Sequence, residues 1–150
     1  MHIKIINGAN LNMLGVRNKN IYGCSNLQDI NREIASKARE IGVVVSFFQS
    51  NDEGKIIDEI HNCIDNCDGI IINPGGYTHY SISIRDAIES VPMPVIEVHL
   101  SNIFSRDDFR RNTVTGEKAV GIIAGFGATG YWLAVLAIND LLNKRENLGN

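Results

Sequence analysis

The chain has 150 residues, of which 44% are hydrophobic and 21% are charged, and this length suits one domain over residues 1–150 better than two. Its net charge of −3 and the lack of a basic block disfavour a nucleic-acid partner, because such partners are bound through clustered Lys and Arg. The most apolar stretch, residues 119–138, is too rich in glycine to span a membrane, and the absence of a signal peptide after Met1 predicts a cytoplasmic location.

Short runs rich in Val and Ile recur along the chain, with helical patterns between most of them. The predicted strands are residues 3–6, 43–48, 69–72, 95–98 and 120–124. Continuous apolar strands joined by helices indicate a parallel sheet with both faces covered. We therefore predict an α/β fold, a flavodoxin-like three-layer sandwich with a five-stranded parallel sheet.

Four apolar stripes at helical spacing predict the helices. The first is the best defined, because Ser25 and Gln28 form a capping box at its start and Gly42 is suited to its end. The next two are marked by isoleucines and small residues, namely Ile56, Ile57, Ile60 and Ile64, and then Ile84, Ala87, Ile88 and Val91. The last runs over residues 132–142, and a tail follows at about 144–150.

Two connections are longer than the usual two to six residues. Residues 8–24 separate the first strand from the first helix and carry Arg17 and Tyr22, which suggests a lid over a binding site. Residues 101–118 follow the fourth strand and carry Arg106, Arg110 and Arg111.

The three cysteines, Cys24, Cys63 and Cys67, are an odd number and cannot form a complete disulfide framework. We expect them to be reduced. Cys63 and Cys67 are four positions apart on a helical pattern, but two ligands without a converging pair make an incomplete zinc site. Small residues that face the core are the favoured interpretation.

Ligands of open parallel sheets bind beyond the carboxyl ends of the strands, and four predicted strands end in polar residues. These are residues 7–10, 49–51, 73–79 and 97–102. Glu97 and His99 leave the same face of one strand, so the carboxylate can orient an acid/base imidazole. An isolated pair of this kind is more often structural, but His79 on a neighbouring strand end favours function. His61 is expected to be a half-buried structural residue, and His2 lacks such neighbours.

Other catalytic chemistries fit less well. There is no Gly-x-Ser-x-Gly elbow, and no Cys stands at a strand end near His99. His79, Glu97 and His99 could form a metal site, but the surrounding Asn, Ser and Arg suit an anion with hydroxyl groups better than a cation. Residues 125–130 match G-x-G-x-x-G, yet they follow the last strand, so a role in packing or a tight turn is favoured over dinucleotide binding.

The strand-end motifs resemble the type II 3-dehydroquinate dehydratases. The similar blocks occur in family order at residues 7–11, 14–17, 21–23, 49–51, 73–76, 78–79, 85–87, 97–102, 109–110 and 125–127. The resemblance implies a flavodoxin-like enzyme that needs neither cofactor nor metal and assembles as trimers gathered into a dodecamer. It also implies the anti elimination of water from 3-dehydroquinate to give 3-dehydroshikimate, in the shikimate pathway or in quinate breakdown.

The resemblance further implies a role for each matching residue. Tyr22 would take the C2 proton and Arg17 would stabilise its phenolate, while Asn10 would hold a water against the developing enolate. His99, oriented by Glu97, would protonate the departing C1 hydroxyl. The substrate contacts would be Asn73 near C1, the backbone N–H groups of Leu100 and Ser101 with the Ser101 hydroxyl at the carboxylate, and His79, Arg110 and a neighbouring subunit's Asp86 at the ring hydroxyls.

The chain departs from the family pattern at a few positions. Ala9 replaces the usual Pro and Asn18-Lys19 replaces a common Glu-Pro, and both changes would loosen the lid. Thr113 and Thr115 stand where Ser is frequent, so the hydroxyls are kept. Two alternatives remain open: a flavodoxin-like binding or receiver module, and a dehydratase of another β-hydroxy ketone. A receiver is disfavoured, because it would need acidic residues where this chain has asparagines.

Overall fold

The structure, a computed structural model, describes residues 1–16 and 25–148, with side chains described as far as Arg145. Within these residues five strands form one sheet in the order β2-β1-β3-β4-β5, and every neighbouring pair is parallel. The strands are β1 (His2–Asn7), β2 (Val44–Gln49), β3 (Gly69–Asn73), β4 (Val95–His99) and β5 (Gly121–Ala124). This confirms the predicted five-stranded parallel sheet and its flavodoxin-like strand order.

In the described part of the chain, four α-helices cover the two faces of the sheet. They are α1 (Leu27–Glu40), α2 (Glu53–Asn62), α3 (Ile82–Ser90) and α4 (Thr129–Leu148). One hydrophobic core joins the sheet to α1 and α4, and a second joins it to α2 and α3. Successive residues of β1 illustrate the division, because Ile5 belongs to the first core and Ile6 to the second. Side chains of a strand alternate between the two faces, which is why the strands read as continuously apolar.

The helix ends differ from the predicted ones in detail. Asn26, not Ser25, caps α1, and its side-chain oxygen accepts a hydrogen bond from the backbone N–H of Asp29 at 2.8 Å. The capping box was therefore placed one residue too early. Gly42, with φ of 73°, lies just beyond α1 as expected. Helix α4 starts earlier and ends later than predicted, and Lys144 supports its last turns through a 2.6 Å ion pair with Asp140 one turn earlier.

The cysteines and isolated histidines have structural surroundings. Cys63 is buried and its thiol donates to the Glu59 carbonyl at 3.2 Å; burial, with a smaller effect from Cys67, raises its pKa to about 12. Both cysteines are free, while Cys24 lies outside the described residues. His61 is exposed rather than half-buried, because its neighbour Ile60 occupies the buried face of α2. None of the described helices combines the length and apolar character needed to cross a membrane.

His2 serves as a tie between structural elements. Its Nδ1 lies 2.7 Å from the Asn66 carbonyl and its Nε2 lies 2.7 Å from the Ser46 hydroxyl. The ring therefore links β1 to β2 and to the segment before β3. It lies at the beginning of β1, away from the carboxyl ends of the strands.

Candidate active site

A polar cavity of about 270 Å³ opens at the carboxyl edge of the sheet. The strand register brings this edge together, because Asn7 at the end of β1 lies opposite both Gln49 and Asn73. The segments that follow β1, β3 and β4 supply the cavity walls. Its volume is close to the lower limit of about 300 Å³ for small-molecule sites, which indicates a small ligand.

Most of the predicted site residues meet in this cavity. Its walls include Asn10, Asn73, His79, His99, Leu100, Ser101 and Arg110. Glu97 lies behind His99, whereas Asp86 lies on α3 and does not line the cavity of its own chain. Arg17 and Tyr22 lie outside the described residues. The structure thus brings together most of the set that sequence reasoning drew from distant parts of the chain.

His99 and Glu97 form a buried pair at the end of β4. The Nε2 atom of His99 lies 2.7 Å from Oε1 of Glu97, and the two side chains are 6% and 0% exposed. Burial opposes ionisation of Glu97, but the hydrogen bonds from His99 and from nearby threonines outweigh it and keep the pKa of Glu97 below its ordinary value. The other ring nitrogen, Nδ1, has no hydrogen-bond partner among the described residues, so it is the atom that His99 offers to a ligand.

The floor of the cavity is built on Asn73, whose side chain is fixed on both sides. Its Oδ1 accepts from the backbone N–H of Gly75 at 3.2 Å, and its Nδ2 donates to the Tyr131 hydroxyl at 3.0 Å. Tyr131 in turn donates to Oδ1 of Asn7 at 2.5 Å. Burial raises the pKa of Tyr131, so its hydroxyl stays protonated and remains a donor. Helix α4 thereby fixes the ends of β1 and β3.

Asn10 occupies a left-handed backbone conformation at the cavity wall, with φ of 68°. Asn is one of the few residues that adopt this conformation readily, and the Asn51 side chain accepts a hydrogen bond from the Asn10 backbone N–H at 2.9 Å. Asn51 and the rest of the polar end of β2 are absent from the cavity wall. The sequence predicted that four strand ends would meet at the ligand. In the structure three of them line the cavity, while the end of β2 supports the wall from behind.

The wall formed after β4 is cationic and rich in donors. Arg106 and Arg110 both line it, and the Arg106 guanidinium lies 3.5 Å from the Ser101 hydroxyl. Nδ1 of His79 faces the Asn112 carbonyl at 2.7 Å, which leaves Nε2 for the cavity. No carboxylate is among the described side chains that line the cavity. This wall therefore suits an anionic ligand with hydroxyl groups.

The metal site and the dinucleotide-binding loop that the sequence raised as alternatives can both be compared with the structure. Among the described residues, no three His, Cys, Asp or Glu side chains converge as a metal site requires. The G-x-G-x-x-G segment serves packing: Gly125, with φ of 93°, approaches Asn102 so closely that a β-carbon would lie 3.1 Å from its side chain. The backbone N–H of Gly127 donates to the Leu100 carbonyl at 2.9 Å. The glycines thus hold the loop that follows His99, which confirms the packing interpretation.

Comparison with known proteins agrees with this geometry. The sequence profile of the family described as "Dehydroquinase class II" matches residues 1–139. The chain belongs to the class II dehydroquinase family. The family member from Caldicellulosiruptor saccharolyticus, named 3-dehydroquinate dehydratase, is 52% identical over 141 residues, which are 93% of this chain and 97% of that protein. Another protein of that name, from Carboxydothermus hydrogenoformans, is 47% identical over 149 residues, or 99% and 97% of the two chains.

The fold of this chain also matches a solved structure closely. The crystal structure of the type II dehydroquinase from Butyrivibrio crossotus superimposes with a TM-score of 0.91 at 47% sequence identity, over 93% of this chain and 97% of that chain.

Three residues that build the site are missing from the predicted set, namely Arg106, Tyr131 and Thr78. Arg106 was noted only as one of several arginines, although it lines the cavity. Tyr131 lies just before the predicted last helix, residues 132–142, and no local signal marks its approach to Asn73. Thr78, which reaches Glu97 at 2.7 Å, follows β3 within a polar segment, so its proximity to the strand end was the one available signal.

Proposed function

We propose that this chain is a hydro-lyase that dehydrates 3-dehydroquinate to 3-dehydroshikimate in the shikimate pathway. Membership of the dehydroquinase family and the shared name of its relatives support the proposal. The observation that carries it is the His99–Glu97 pair, 2.7 Å apart, at the wall of a cavity that also presents Arg106 and Arg110. An acid/base group and cationic donors are what the elimination of water from an anionic polyol ketone requires.

The acid half of the reaction falls to His99. The C1 hydroxyl is a poor leaving group until it is protonated, and Nδ1 of His99 is available to supply that proton. The carboxylate of Glu97 orients the ring through Nε2 and stabilises the imidazolium form. The C1–O bond then breaks, the hydroxyl leaves as water, and His99 is left neutral.

The base half falls to Tyr22, which takes the proton from C2, where the adjacent ketone makes the C–H acidic. An ordinary phenol has a pKa near 10, so only about one in a thousand is ionised at pH 7. A nearby cation favours the phenolate, and Arg17 is the side chain of the lid that supplies it. Asn10 holds a water against the enolate oxygen while the charge develops. These roles rest on the family resemblance, and Arg17 and Tyr22 lie outside the described residues.

The remaining site residues bind the substrate. Ser101, with the backbone N–H groups at positions 100 and 101, takes the carboxylate, and Asn73 contacts the C1 region. His79 and Arg110 take the ring hydroxyls. His79 is suited to this because its Nδ1 is occupied by the Asn112 carbonyl at 2.7 Å, which fixes the ring orientation.

The proposal extends to the assembly and location of the protein. The chain acts as one catalytic domain, with a lid at residues 8–24, within a cytoplasmic dodecamer built from trimers. Asp86 completes the site of a neighbouring subunit in each trimer. Its exposed side chain, which contacts Arg85 at 3.1 Å and lies outside the cavity of its own chain, is compatible with that role. The reaction serves aromatic biosynthesis or quinate breakdown.

A direct assay tests the function. Purified protein is mixed with 3-dehydroquinate in the presence of EDTA, and the conjugated enone of the product is followed in the ultraviolet. We expect enone formation at a rate that EDTA leaves unchanged. His99→Ala serves as the matched control for contaminating activity. No enone over a broad pH range, or activity on other β-hydroxy ketones but not on 3-dehydroquinate, would contradict the proposed substrate.

A further inference from the structure

The carboxylate of Glu97 accepts hydrogen bonds from three threonine hydroxyls in addition to the one from His99. Its Oε1 accepts from the hydroxyls of Thr78 at 2.7 Å and Thr113 at 2.6 Å, and its Oε2 accepts from the hydroxyl of Thr115 at 2.5 Å. With Nε2 of His99 this makes four donors on one carboxylate. Three of these donors meet at Oε1 and one at Oε2, so both oxygens of the carboxylate are hydrogen-bonded.

The three threonines form a closed cluster drawn from two segments. Thr78 lies in the 3-10 helix Gly75–His79 after β3. Thr115 begins the 3-10 helix Thr115–Lys118 before β5, and Thr113 lies two residues earlier. The Thr78 hydroxyl lies 2.8 Å from that of Thr113 and 2.9 Å from that of Thr115. Thr78 and Thr115 are fully buried. Bulk water therefore does not replace these donors if one is removed.

The cluster stabilises the charge of Glu97 without a second cation. Among the described residues, His99 is the one titratable group that contacts Glu97. The titratable residues that are close in sequence to the three threonines have other partners. His79 contacts the Asn112 carbonyl, Glu117 contacts Arg85, and Lys118 contacts Glu89. If an Arg or Lys held the carboxylate, the negative charge of Glu97 would be neutralised by that cation. The attraction between Glu97 and the imidazolium of His99 would then be weaker.

We propose that Thr78, Thr113 and Thr115 are positioning residues of the dehydration reaction, which keep Glu97 ionised and fixed so that its charge acts on His99 alone. This rests on the proposed function. The threonines do not touch the substrate; they act through Glu97 on the group that protonates the leaving hydroxyl. The four donors favour the ionised carboxylate over the neutral carboxyl, because a charged oxygen is the stronger acceptor.

Thr115 provides the sharpest test, because its hydroxyl is the one hydrogen bond that Oε2 of Glu97 receives from the described residues. Thr115→Val removes the hydroxyl and keeps the shape of the side chain, whereas Thr115→Ser keeps the hydroxyl. We expect Thr115→Val to lower kcat roughly ten- to a hundredfold with less than about a threefold change in KM. Since a lost donor raises the pKa of Glu97, the acidic limb of the kcat profile should move to higher pH. Thr115→Ser should restore both.

Equal losses in Thr115→Val and Thr115→Ser, or an unchanged acidic limb in Thr115→Val, would overturn the positioning role. If Thr115→Val does not fold, Thr113→Val against Thr113→Ser makes the same comparison at a half-buried position. Should the wild-type protein not dehydrate 3-dehydroquinate, the proposed function fails separately. In that case the protonation of Glu97 is followed by infrared difference titration of the carboxyl stretch, which is assigned with Glu97→Gln. If Glu97 is protonated at higher pH in the valine variant than in the wild type and the serine variant, the threonine role is supported. If the valine variant titrates like the wild type, that role is overturned.

Discussion

The hydroxyl of Tyr131 lies 3.0 Å from the side-chain amide of Asn73, and it joins the last helix to the floor of the cavity. The same hydroxyl donates to Asn7 at 2.5 Å, so one phenol fixes the carboxyl ends of two strands. All three side chains are buried. Because buried polar groups lose free energy when a partner is removed, this tie affects both stability and the position of Asn73.

Replacing Tyr131 with Phe should weaken the protein and the site together. The variant leaves buried amide groups of Asn7 and Asn73 unpaired, so the free energy of unfolding should fall by about 1–3 kcal/mol. It should also lower kcat, because Asn73 loses one of its two restraints. Urea unfolding and steady-state kinetics measure the two effects. Tyr80→Phe, at an exposed position, is the matched control and should change the stability by less than about 0.5 kcal/mol.

The contrast between the His99–Glu97 pair and Tyr131 explains what the sequence could predict. Glu97 and His99 are two positions apart on a strand, so the alternation of side chains alone places them on one face. Asn73 and Tyr131 are 58 positions apart in the sequence, and their contact depends on how α4 packs on the sheet. No local pattern carries that information. The threonine cluster is an intermediate case. The sequence shows that the hydroxyls are present, but it does not show that all three bind Glu97.

His99→Ala should lower kcat by about 10² to 10⁴-fold with a smaller effect on KM, as expected when a general acid is lost. Glu97→Gln should be milder, since the imidazole remains. His61→Ala is the control, because His61 is exposed on α2, whose residues do not contribute to the cavity wall. Near-normal turnover of His99→Ala would reduce the buried pair to a structural feature.

The depressed pKa of Glu97 predicts a specific acid sensitivity. A carboxylate whose pKa is lower in the folded protein contributes stability above its unfolded pKa of about 4.3, and this is lost as the pH falls through the folded value. Glu97→Gln has no such titration. The stability difference between wild type and Glu97→Gln should therefore be largest near neutral pH and shrink below about pH 4. A difference that stays constant in urea unfolding from neutral to acidic pH would contradict this.

Gly8→Ala should be strongly destabilising. A β-carbon at Gly8 would lie 2.2 Å from the backbone oxygen of Pro74, and this backbone is held by the 2.7 Å hydrogen bond from the Gly8 N–H to the Asn73 carbonyl. The ends of β1 and β3 would have to separate, at the base of the cavity. Gly121→Ala is the control, because a β-carbon there has no neighbour within 4 Å. Thermal unfolding should show a large decrease for the first variant and little change for the second.

The contribution of Asp86 to a neighbouring site can be tested by mixing two inactive proteins. Asp86→Ala should lose activity if Asp86 completes the adjacent site, and Tyr22→Phe should lose at least about 10²-fold if Tyr22 is the base, as proposed. In assemblies re-formed from equal amounts of both, a site with an intact Tyr22 from one chain can meet an intact Asp86 from the next. Random mixing should make about a quarter of the sites complete. The control is each variant dissociated and re-formed alone, which should stay inactive. If Asp86 acted within its own chain, no site in the mixture would be complete, and the absence of recovered activity would remove the shared site from the mechanism.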